Sequence, residues 1–108
     1  MDERLEKALD FSNYMVTLNN QKRIAKEKFL ENSVHYLNGG KFSVNRELIT
    51  FCQLIVSRGL QSTVLVDDND APIEIDDMEK FLDDILDIYF TTSYQYLDTY
   101  TEIKKNRK

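Results

Sequence analysis

The sequence predicts a single α+β domain over residues 1–108, in which two long antiparallel helices enclose a short buried helix and a small two- or three-stranded antiparallel sheet. Three observations predict this fold class. A chain of 108 residues suits one hydrophobic core rather than two. Both ends of the chain carry apolar residues at helical spacing. The middle contains all three glycines and the only proline, among short alternating runs.

The first helix is predicted over residues 3–37, where apolar side chains recur at spacings of three and four and no glycine or proline intervenes. Gly39 and Gly40 are expected to end this helix, because glycine adopts the left-handed conformation of a helix C-terminus without steric cost. The polar centre of the helix, residues 19–23, predicts a contact that is loose, wet or shared with another chain.

A second, short helix is predicted over residues 46–58, with Asn45 as its N-cap and Gly59 just beyond its end. Leu60 is placed to fold back on Ile55, as in a Schellman ending. Apolar residues cover most of the circumference of this helix, so we expect it to be the most buried element.

Two β-prone runs at residues 63–66 and 72–75 flank the polar segment 67–71 and predict a β-hairpin. Four aliphatic side chains are expected to share its inner face: Val64, Val66, Ile73 and Ile75. The alternating residues 41–44 predict a third strand beside this hairpin, because an isolated two-stranded hairpin is marginal in water.

The last helix is predicted over residues 77–104, followed by a basic tail at 105–108. Asp76 and Glu79 have the spacing of a capping box. A heptad-like stripe is expected to face the core: Met78, Leu82, Ile85, Tyr89, Thr92, Tyr96, Tyr100 and Ile103. A second apolar row lies beside or opposite it: Phe81, Leu86, Phe90, Tyr94 and Leu97. The two rows together form more apolar surface than one partner helix can cover.

The distribution of charge predicts that the two long helices run antiparallel. The first begins acidic and turns basic from Lys22, whereas the last begins acidic and ends in bases from Lys104 to Lys108. Antiparallel pairing would set opposite charges against each other at both ends of the pair. Because an exposed ion pair contributes only about 0–1 kcal/mol, this effect selects orientation more than it stabilises the fold.

The composition indicates a cytoplasmic protein. A formal net charge of -5 argues against a surface that coats nucleic acid, while local basic patches remain compatible with it. Cys52 is the only cysteine, so an intramolecular disulfide is excluded, which suits a reducing compartment. The charged, amphipathic start is unlike a secretory leader, and no apolar run reaches the roughly 18 residues of a membrane span. We expect neither a membrane partner nor a cofactor.

An acidic segment offers the only candidate metal ligands. Asp67, Asp68 and Asp70 carry the oxygen donors that Ca²⁺ or Mg²⁺ prefers. The segment lacks the order of an EF-hand loop, with no invariant glycine and no glutamate at the twelfth position. We therefore expect a solvated turn that binds no metal.

Catalytic chemistry has little support in the sequence. His35 and Cys52 are candidates for a nucleophile and its base, but nothing in the sequence brings them together. We expect His35 near the C-terminus of the first helix and Cys52 as a small buried hydrophobe. Phosphate-binding, dinucleotide-binding and zinc-protease motifs are absent. The sequence predicts a protein with no catalytic residues, which is not an enzyme.

The surplus apolar surface of the last helix predicts an interaction or assembly module that forms a homo-oligomer, with a dimer favoured. The expected contact residues are Leu30, Phe90, Tyr94 and Leu97. The alternative hypothesis is a nucleic-acid-binding accessory protein. It would use the basic residues Lys22, Arg23, Lys26, Lys104, Lys105, Arg107 and Lys108.

Four segments cover most of the chain: RLEKALDFSNYMVTLNNQK, ELITFCQLIVSRG, TVLVDDNDAPIEIDDMEKFLDDILDIYF and YLDTYTEIKKNR. In them the whole chain resembles small uncharacterised proteins encoded by tailed phages of marine bacteria, the cyanophage type. The resemblance implies a viral protein in a bacterial cytoplasm, with a second copy or another phage or host protein as its partner. Under the alternative hypothesis, it implies a role in phage replication or transcription. The order of long helix, β segment and long helix is also similar to prefoldin subunits, from which the helix at 46–58 departs.

Overall fold

The computed structural model describes residues 2–105, which form a mixed α and β head and a projecting stalk of two helices. The elements in chain order are α1 (Glu3–Asn32), β1 (Val34–Leu37), β2 (Gly40–Ser43), α2 (Arg46–Ser57), β3 (Thr63–Val66), β4 (Pro72–Ile75) and α3 (Met78–Lys105). We use "head" for residues 33–89 and "stalk" for residues 3–32 together with 90–105. The predicted α+β class is confirmed, and the described residues extend over 69 × 25 × 18 Å.

Helix α1 ends at Asn32, so the prediction of a helix to residue 37 was wrong. The next residues form β1, which pairs with β2 in an antiparallel hairpin. Asn38 and Gly39 form its turn with φ values of 51° and 81°. Positive φ at both central residues is the type I′ geometry that an Asn-Gly pair favours in hairpins. The glycines assigned to a helix end therefore belong to a β-turn.

The prediction of a third strand beside the hairpin at residues 63–75 was also wrong. In residues 2–105 there are two separate two-stranded sheets, β1–β2 and β3–β4. Strand β2 takes its ladder partner from β1, the segment that was assigned to helix. Each hairpin on its own would be marginal in water, so their stability depends on packing against the helices of the head.

Strands β3 and β4 occupy the predicted residues, but their buried face is different from the one expected. The five-residue loop 67–71 pairs Val66 with Pro72, so Leu65 lies opposite Ile73. Directly opposite residues share a face of a sheet. Leu65, Ile73 and Ile75 are therefore buried, while Val64 and Val66 are exposed. The expectation for these two valines was wrong by one residue of register.

Helix α2 has the predicted caps. The Asn45 side chain accepts a hydrogen bond from the Leu48 amide at 2.8 Å. At the other end, Gly59 has φ 78° and the Leu60 amide donates to the Ile55 carbonyl at 3.3 Å, as in a Schellman motif. Burial of this helix is one-sided, which corrects the expectation that it is the most buried element. Cys52 and Ile55 are buried, whereas Phe51 and Leu54 are exposed.

Helix α3 begins at Met78 and is capped by Asp77 rather than by the expected Asp76 box. The Asp77 carboxylate accepts a hydrogen bond from the Lys80 amide at 3.1 Å. Its predicted stripe does face inward along the whole helix. The buried members are Met78, Leu82, Ile85, Thr92 and Ile103.

The core consists of two separate clusters that α3 connects. The head cluster contains Phe42, Val44, Cys52, Ile55, Leu65, Ile73, Ile75, Met78, Phe81, Leu82 and Ile85. The stalk cluster is much smaller and contains Leu18, Ala25 and Ile103, with Tyr14, Met15 and Tyr96 packed against it. Most of the apolar burial that stabilises this fold therefore lies in the head.

The two stalk helices run antiparallel, as predicted, but their charges do not explain it. The four ion pairs within residues 2–105 each join two residues of one helix. Helix α1 ends beside Thr92, where the Ser33 hydroxyl donates to the Thr92 hydroxyl at 3.1 Å. The acidic first turns of α3 therefore pack within the head and never face the basic part of α1. No helix in the described part of the chain is both long and apolar enough to span a membrane.

Candidate interaction surface

The seam between the stalk helices is held by aromatic side chains. Phe29 stacks on Tyr96 with ring centroids 4.9 Å apart. One turn further along α3, the ring of Tyr100 has the Lys22 ammonium 5.5 Å from its centroid, a cation–π arrangement. This contact places a lysine on the inward stripe of α1, so the polar centre of the helix meets its neighbour without a buried unpaired charge.

A buried polar pair marks the point where stalk and head meet. Ser33 and Thr92 are both buried, and their hydroxyls are joined at 3.1 Å. The Thr92 hydroxyl also donates to the Ile88 carbonyl, and the Val44 amide donates to the Ser33 carbonyl at 2.8 Å. These bonds satisfy polar groups that would otherwise be costly to bury. They hold the end of α1 against α3 and against the segment that follows β2.

Beside the seam lies a row of large apolar side chains in water, which we call the outer apolar face. Each member is more than half exposed: Leu30 55%, Phe90 54%, Tyr94 67% and Leu97 56%. Leu30 and Leu97 each follow a residue of the Phe29–Tyr96 stack. In two antiparallel right-handed helices, one residue past the contact turns toward the same side of the pair. The predicted interface residues of both helices therefore lie on one side of the stalk.

The opposite side of the stalk is polar. A groove of about 390 Å³ runs along the seam there. Its rim is formed by Lys28, Asn32, Gln95, Asp98 and Thr99. The two sides of the same helix pair thus have different chemistry. A contiguous apolar row on only one of them is the pattern of a protein contact surface rather than of scattered surface hydrophobics.

The first turns of α1 are exposed on all sides, which the spacing of their apolar residues did not predict. Every residue from 2 to 13 is exposed. The exposed set includes the large apolar side chains Leu5, Leu9 and Phe11. Tyr14 is the first residue of α1 that packs in the stalk cluster. Amphipathic spacing predicted the helix, but the length of its partner decides which of its turns are covered.

The basic residues of the nucleic-acid hypothesis gather partly at one place. The Lys104 ammonium lies 5.0 Å from the Tyr100 centroid, on the ring that Lys22 also approaches. Arg23 pairs with Glu27 at 2.8 Å, and Lys105 lies 3.7 Å from Glu102. Lys26 is exposed on α1. Arg107 and Lys108 lie outside the described residues.

The acidic loop joins the two hairpins. Asp67 is only 6% exposed, and its carboxylate accepts backbone hydrogen bonds from Lys41, Asn69 and Ala71. The backbone hydrogen bond from Lys41, followed by that from Ala71, lowers the pKa of Asp67 below its ordinary value. The carboxylate oxygens are thus directed at amides within the fold rather than at a shared ligand position.

The neighbouring aspartate completes this connection. The Asp68 amide donates to the Lys41 carbonyl at 2.8 Å, and its carboxylate accepts from the amide and hydroxyl of Ser43. Asp70 has φ 60° and serves the turn. Among residues 2–105, no group of three or more metal-ligating side chains of the His, Cys, Asp and Glu types is brought together. The β3–β4 hairpin is therefore joined to β2 by hydrogen bonds of Asp67 and Asp68, and not by the strand pairing that was predicted.

His35 and Cys52 occupy different structural roles. His35 lies in β1 rather than at a helix end, which corrects the prediction, and its ring meets Phe81 edge-on at 5.4 Å. Its Nε2 atom is buried without a hydrogen-bond partner among the described residues. Cys52 is fully buried, and burial raises the pKa of its thiol to about 11. A thiol at that pKa is protonated and unreactive at neutral pH.

Comparison with protein-family models, with curated proteins and with solved structures found no match to the chain. The class of protein is therefore defined by its own architecture: an α+β head carrying a helical hairpin with one apolar and one polar side.

Proposed function

We propose that this protein is a non-enzymatic interaction and assembly module of phage origin, which forms a dimer in the cytoplasm of its bacterial host. The outer apolar face is the observation that carries the proposal. Four large apolar side chains lie in water on one side of the stalk. Removing apolar surface from water contributes about 25 cal/mol per Å², so a partner that covers this face gains free energy.

The composition of the face supports a protein partner. Aromatic side chains give a large contact area for little lost conformational entropy, and both Phe90 and Tyr94 belong to the face. Ser93, Tyr96, Leu97 and Tyr100 line a shallow groove of about 330 Å³ beside it. The Arg23–Glu27 ion pair lies on the same side of α1 as Leu30. An apolar centre with charged residues near its edge is the usual anatomy of a protein interface.

Analytical ultracentrifugation of paired leucine variants tests this proposal. Leu97→Asp places a charge in the outer apolar face, while Leu54→Asp makes the same change at an equally exposed leucine of α2. We expect a wild-type dimer at micromolar concentration, a monomeric Leu97→Asp variant and a dimeric Leu54→Asp variant. Circular dichroism checks that both variants are folded. A wild-type protein that stays monomeric, or a Leu97→Asp variant that dimerises like wild type, would contradict the proposal.

A second candidate function, nucleic-acid binding, rests on the basic side chains at Tyr100. Two ammonium groups from different helices meet at one aromatic ring, a combination that suits a phosphate backbone and a stacked base. If this function holds, Lys22→Gln and Lys104→Gln should each weaken binding to single-stranded DNA and reduce its salt dependence. No binding to single-stranded or duplex DNA at low salt would remove this candidate.

A further inference from the structure

The outer edge of strand β3 carries backbone groups that point into water. The Asp67 amide donates to the Ala71 carbonyl at 2.9 Å, so these two residues form a hydrogen-bonded pair across the hairpin. Such pairs alternate with non-hydrogen-bonded pairs along an antiparallel ladder, which puts Val66 and Val64 at non-hydrogen-bonded positions. Their N–H and C=O groups therefore point away from β4. Within residues 2–105, no other protein group hydrogen-bonds to these four.

The other strands of the head have edges that are closed or partly covered. On β2, the outward backbone groups bond to residues of the acidic loop 67–71. On β4, Pro72 has no N–H, and the Glu74 carbonyl accepts a hydrogen bond from the Asn38 side chain at 2.9 Å. On β1, Tyr36 is the only exposed residue. Because proteins usually protect the edges of their sheets in such ways, the open edge of β3 is the exception in this fold.

The side chains along this edge suit a neighbouring strand. Val64 is 54% exposed and Val66 is 65% exposed, while Leu65 between them is buried. The two valines therefore lie on one face of the hairpin, where β-branched side chains pack well against those of an adjacent strand. An extended peptide beside β3 gains backbone hydrogen bonds and apolar contacts together.

The charge around this edge indicates the chemistry of the occupant. Residues 59–79 contain seven carboxylates and no lysine or arginine. Six of these carboxylates belong to exposed residues: Asp68, Asp70, Glu74, Asp76, Asp77 and Glu79. No ion pair within residues 2–105 includes any of them, and no three of them converge there as metal ligands would. Negative charge spread along a hairpin in this way complements a positively charged chain.

We infer that the edge of β3 binds an extended basic segment of another protein, which adds to the β3–β4 hairpin as a third strand. The loop 67–71 lies at one end of β3, and Asp76 lies near the other end because Ile75 pairs with Thr63. The segment therefore carries an apolar centre beside the two valines and lysines or arginines at both of its ends. A second copy of the chain fits poorly, because its own β3 lies in the same acidic segment and like charges repel. This surface is separate from the outer apolar face, so it adds a partner to the proposed self-association.

NMR titration with a synthetic peptide tests the inference. The probe is a heptapeptide with a valine–threonine–valine centre between two pairs of lysines, and the control peptide has glutamates in place of the lysines. We expect the lysine peptide to shift the amide resonances of Val64 and Val66, to slow their hydrogen exchange, and to bind with a dissociation constant of about 1 mM or tighter that weakens with salt. The glutamate peptide should not bind.

Two results of this titration would overturn the inference. One is a lysine peptide that leaves the exchange of the Val64 and Val66 amides unchanged at about 1 mM. The other is a shift of the same amides when the protein concentration alone is raised, which would assign the edge to a second copy.

Variants at Val64 separate strand addition from attraction by charge alone. Val64→Pro removes the outward N–H and leaves the hydrogen bonds to β4 in place, whereas Val64→Thr keeps both the N–H and a β-branched side chain. We expect the proline variant to bind the lysine peptide about tenfold more weakly than wild type and the threonine variant to bind it like wild type. Circular dichroism checks that both variants are folded. Equal binding by the two variants would overturn the inference.

Charge variants supply a matched control for the other half of the argument. Glu74→Gln combined with Asp76→Asn should weaken binding of the lysine peptide and reduce its salt dependence, while Glu31→Gln on the stalk should change neither. Equal effects of the hairpin and stalk variants would contradict the assignment of the partner's charge. These measurements leave the proposed self-association untouched, because Leu97→Asp tests a different surface.

Discussion

The head and the stalk bury their apolar side chains in different ways. In the head, α2, the two hairpins and the first half of α3 surround one cluster in which Phe42, Cys52, Met78, Phe81 and Ile85 are almost fully buried. In the stalk, a single pair of helices buries Leu18, Ala25 and Ile103, and leaves apolar side chains exposed along its outer side. The head has a complete core within one chain, whereas the stalk has a seam that is only one layer thick.

The comparison teaches where function is expected. The head has a core that needs no partner, although Phe51, Leu54 and Val66 on its surface are exposed. A thin seam with an uncovered apolar side gains stability from a partner. Local stability is also expected to differ, because contact density sets the free energy of local opening. We therefore expect substitutions in the head to change folding and substitutions in the stalk to change association.

The largest expected effect on stability comes from Phe81 of α3, and Phe90 of the same helix supplies the comparison. Phe81 is almost completely buried and meets Phe42 edge-on at 5.2 Å, so Phe81→Ala should lower the free energy of unfolding by about 3–5 kcal/mol. Phe90 is half exposed on the same helix, so Phe90→Ala should change the unfolding of the monomer by about 0.5 kcal/mol or less. Urea unfolding at a concentration that keeps the protein monomeric compares them. Equal losses of unfolding free energy in the two variants would contradict the proposed difference between head and stalk.

A smaller effect is expected where the two hairpins touch. A Cβ atom at Gly40 would lie 2.7 Å from Cγ1 of Ile73, so Gly40→Ala should cost about 1–3 kcal/mol through overpacking. Ile73→Ala removes the closest clashing atom and leaves only Phe42 Cε2, at 3.1 Å. In a double-mutant cycle, the combined variant should therefore lose less stability than the sum of the two single variants. Strict additivity would show that the close approach does not constrain the head.

The smallest expected effect is on the pH dependence of the stability of the head. The folded-state pKa of Asp67 is lowered, chiefly by the hydrogen bond from the Lys41 amide, so its carboxylate stabilises the fold above the ordinary aspartate pKa of about 4. That contribution is lost as the pH falls below this value toward the lowered pKa. Asp67→Asn should therefore destabilise the protein at pH 7 and differ less from wild type at pH 3. Urea midpoints at both values measure it, and a gap that widens on acidification would contradict the assignment.

The sequence predicted best what depends on periodicity and local caps. The inward stripe of α3 follows from helical spacing alone, and the Asn45 cap and the Gly59 ending of α2 follow from preferences of single residues. Strand β1 was missed because residues 34–37 fit a helical spacing, although Asn38 and Gly39 carry a strong hairpin signal. The face of β3 was missed because register depends on loop geometry.

The candidate surface was accessible from sequence only in part. The second apolar row of α3 identified Phe90, Tyr94 and Leu97, while Phe81 of the same row lies in the head core. Periodicity cannot separate these cases, because burial depends on which elements pack beside each turn of the helix. For the same reason the acidic loop was assigned to solvent, although Asp67 is buried and accepts a hydrogen bond from the Lys41 amide, which lies far away in the sequence.

Hydrogen exchange at two protein concentrations tests the central claim most directly. If the stalk depends on a second copy, the amides of residues 3–14 exchange quickly in dilute protein and become protected as concentration rises through the dimer range. The amides of the head, such as those around Phe81, should show the same protection at both concentrations. Protection of residues 3–14 that does not change with concentration would contradict the account.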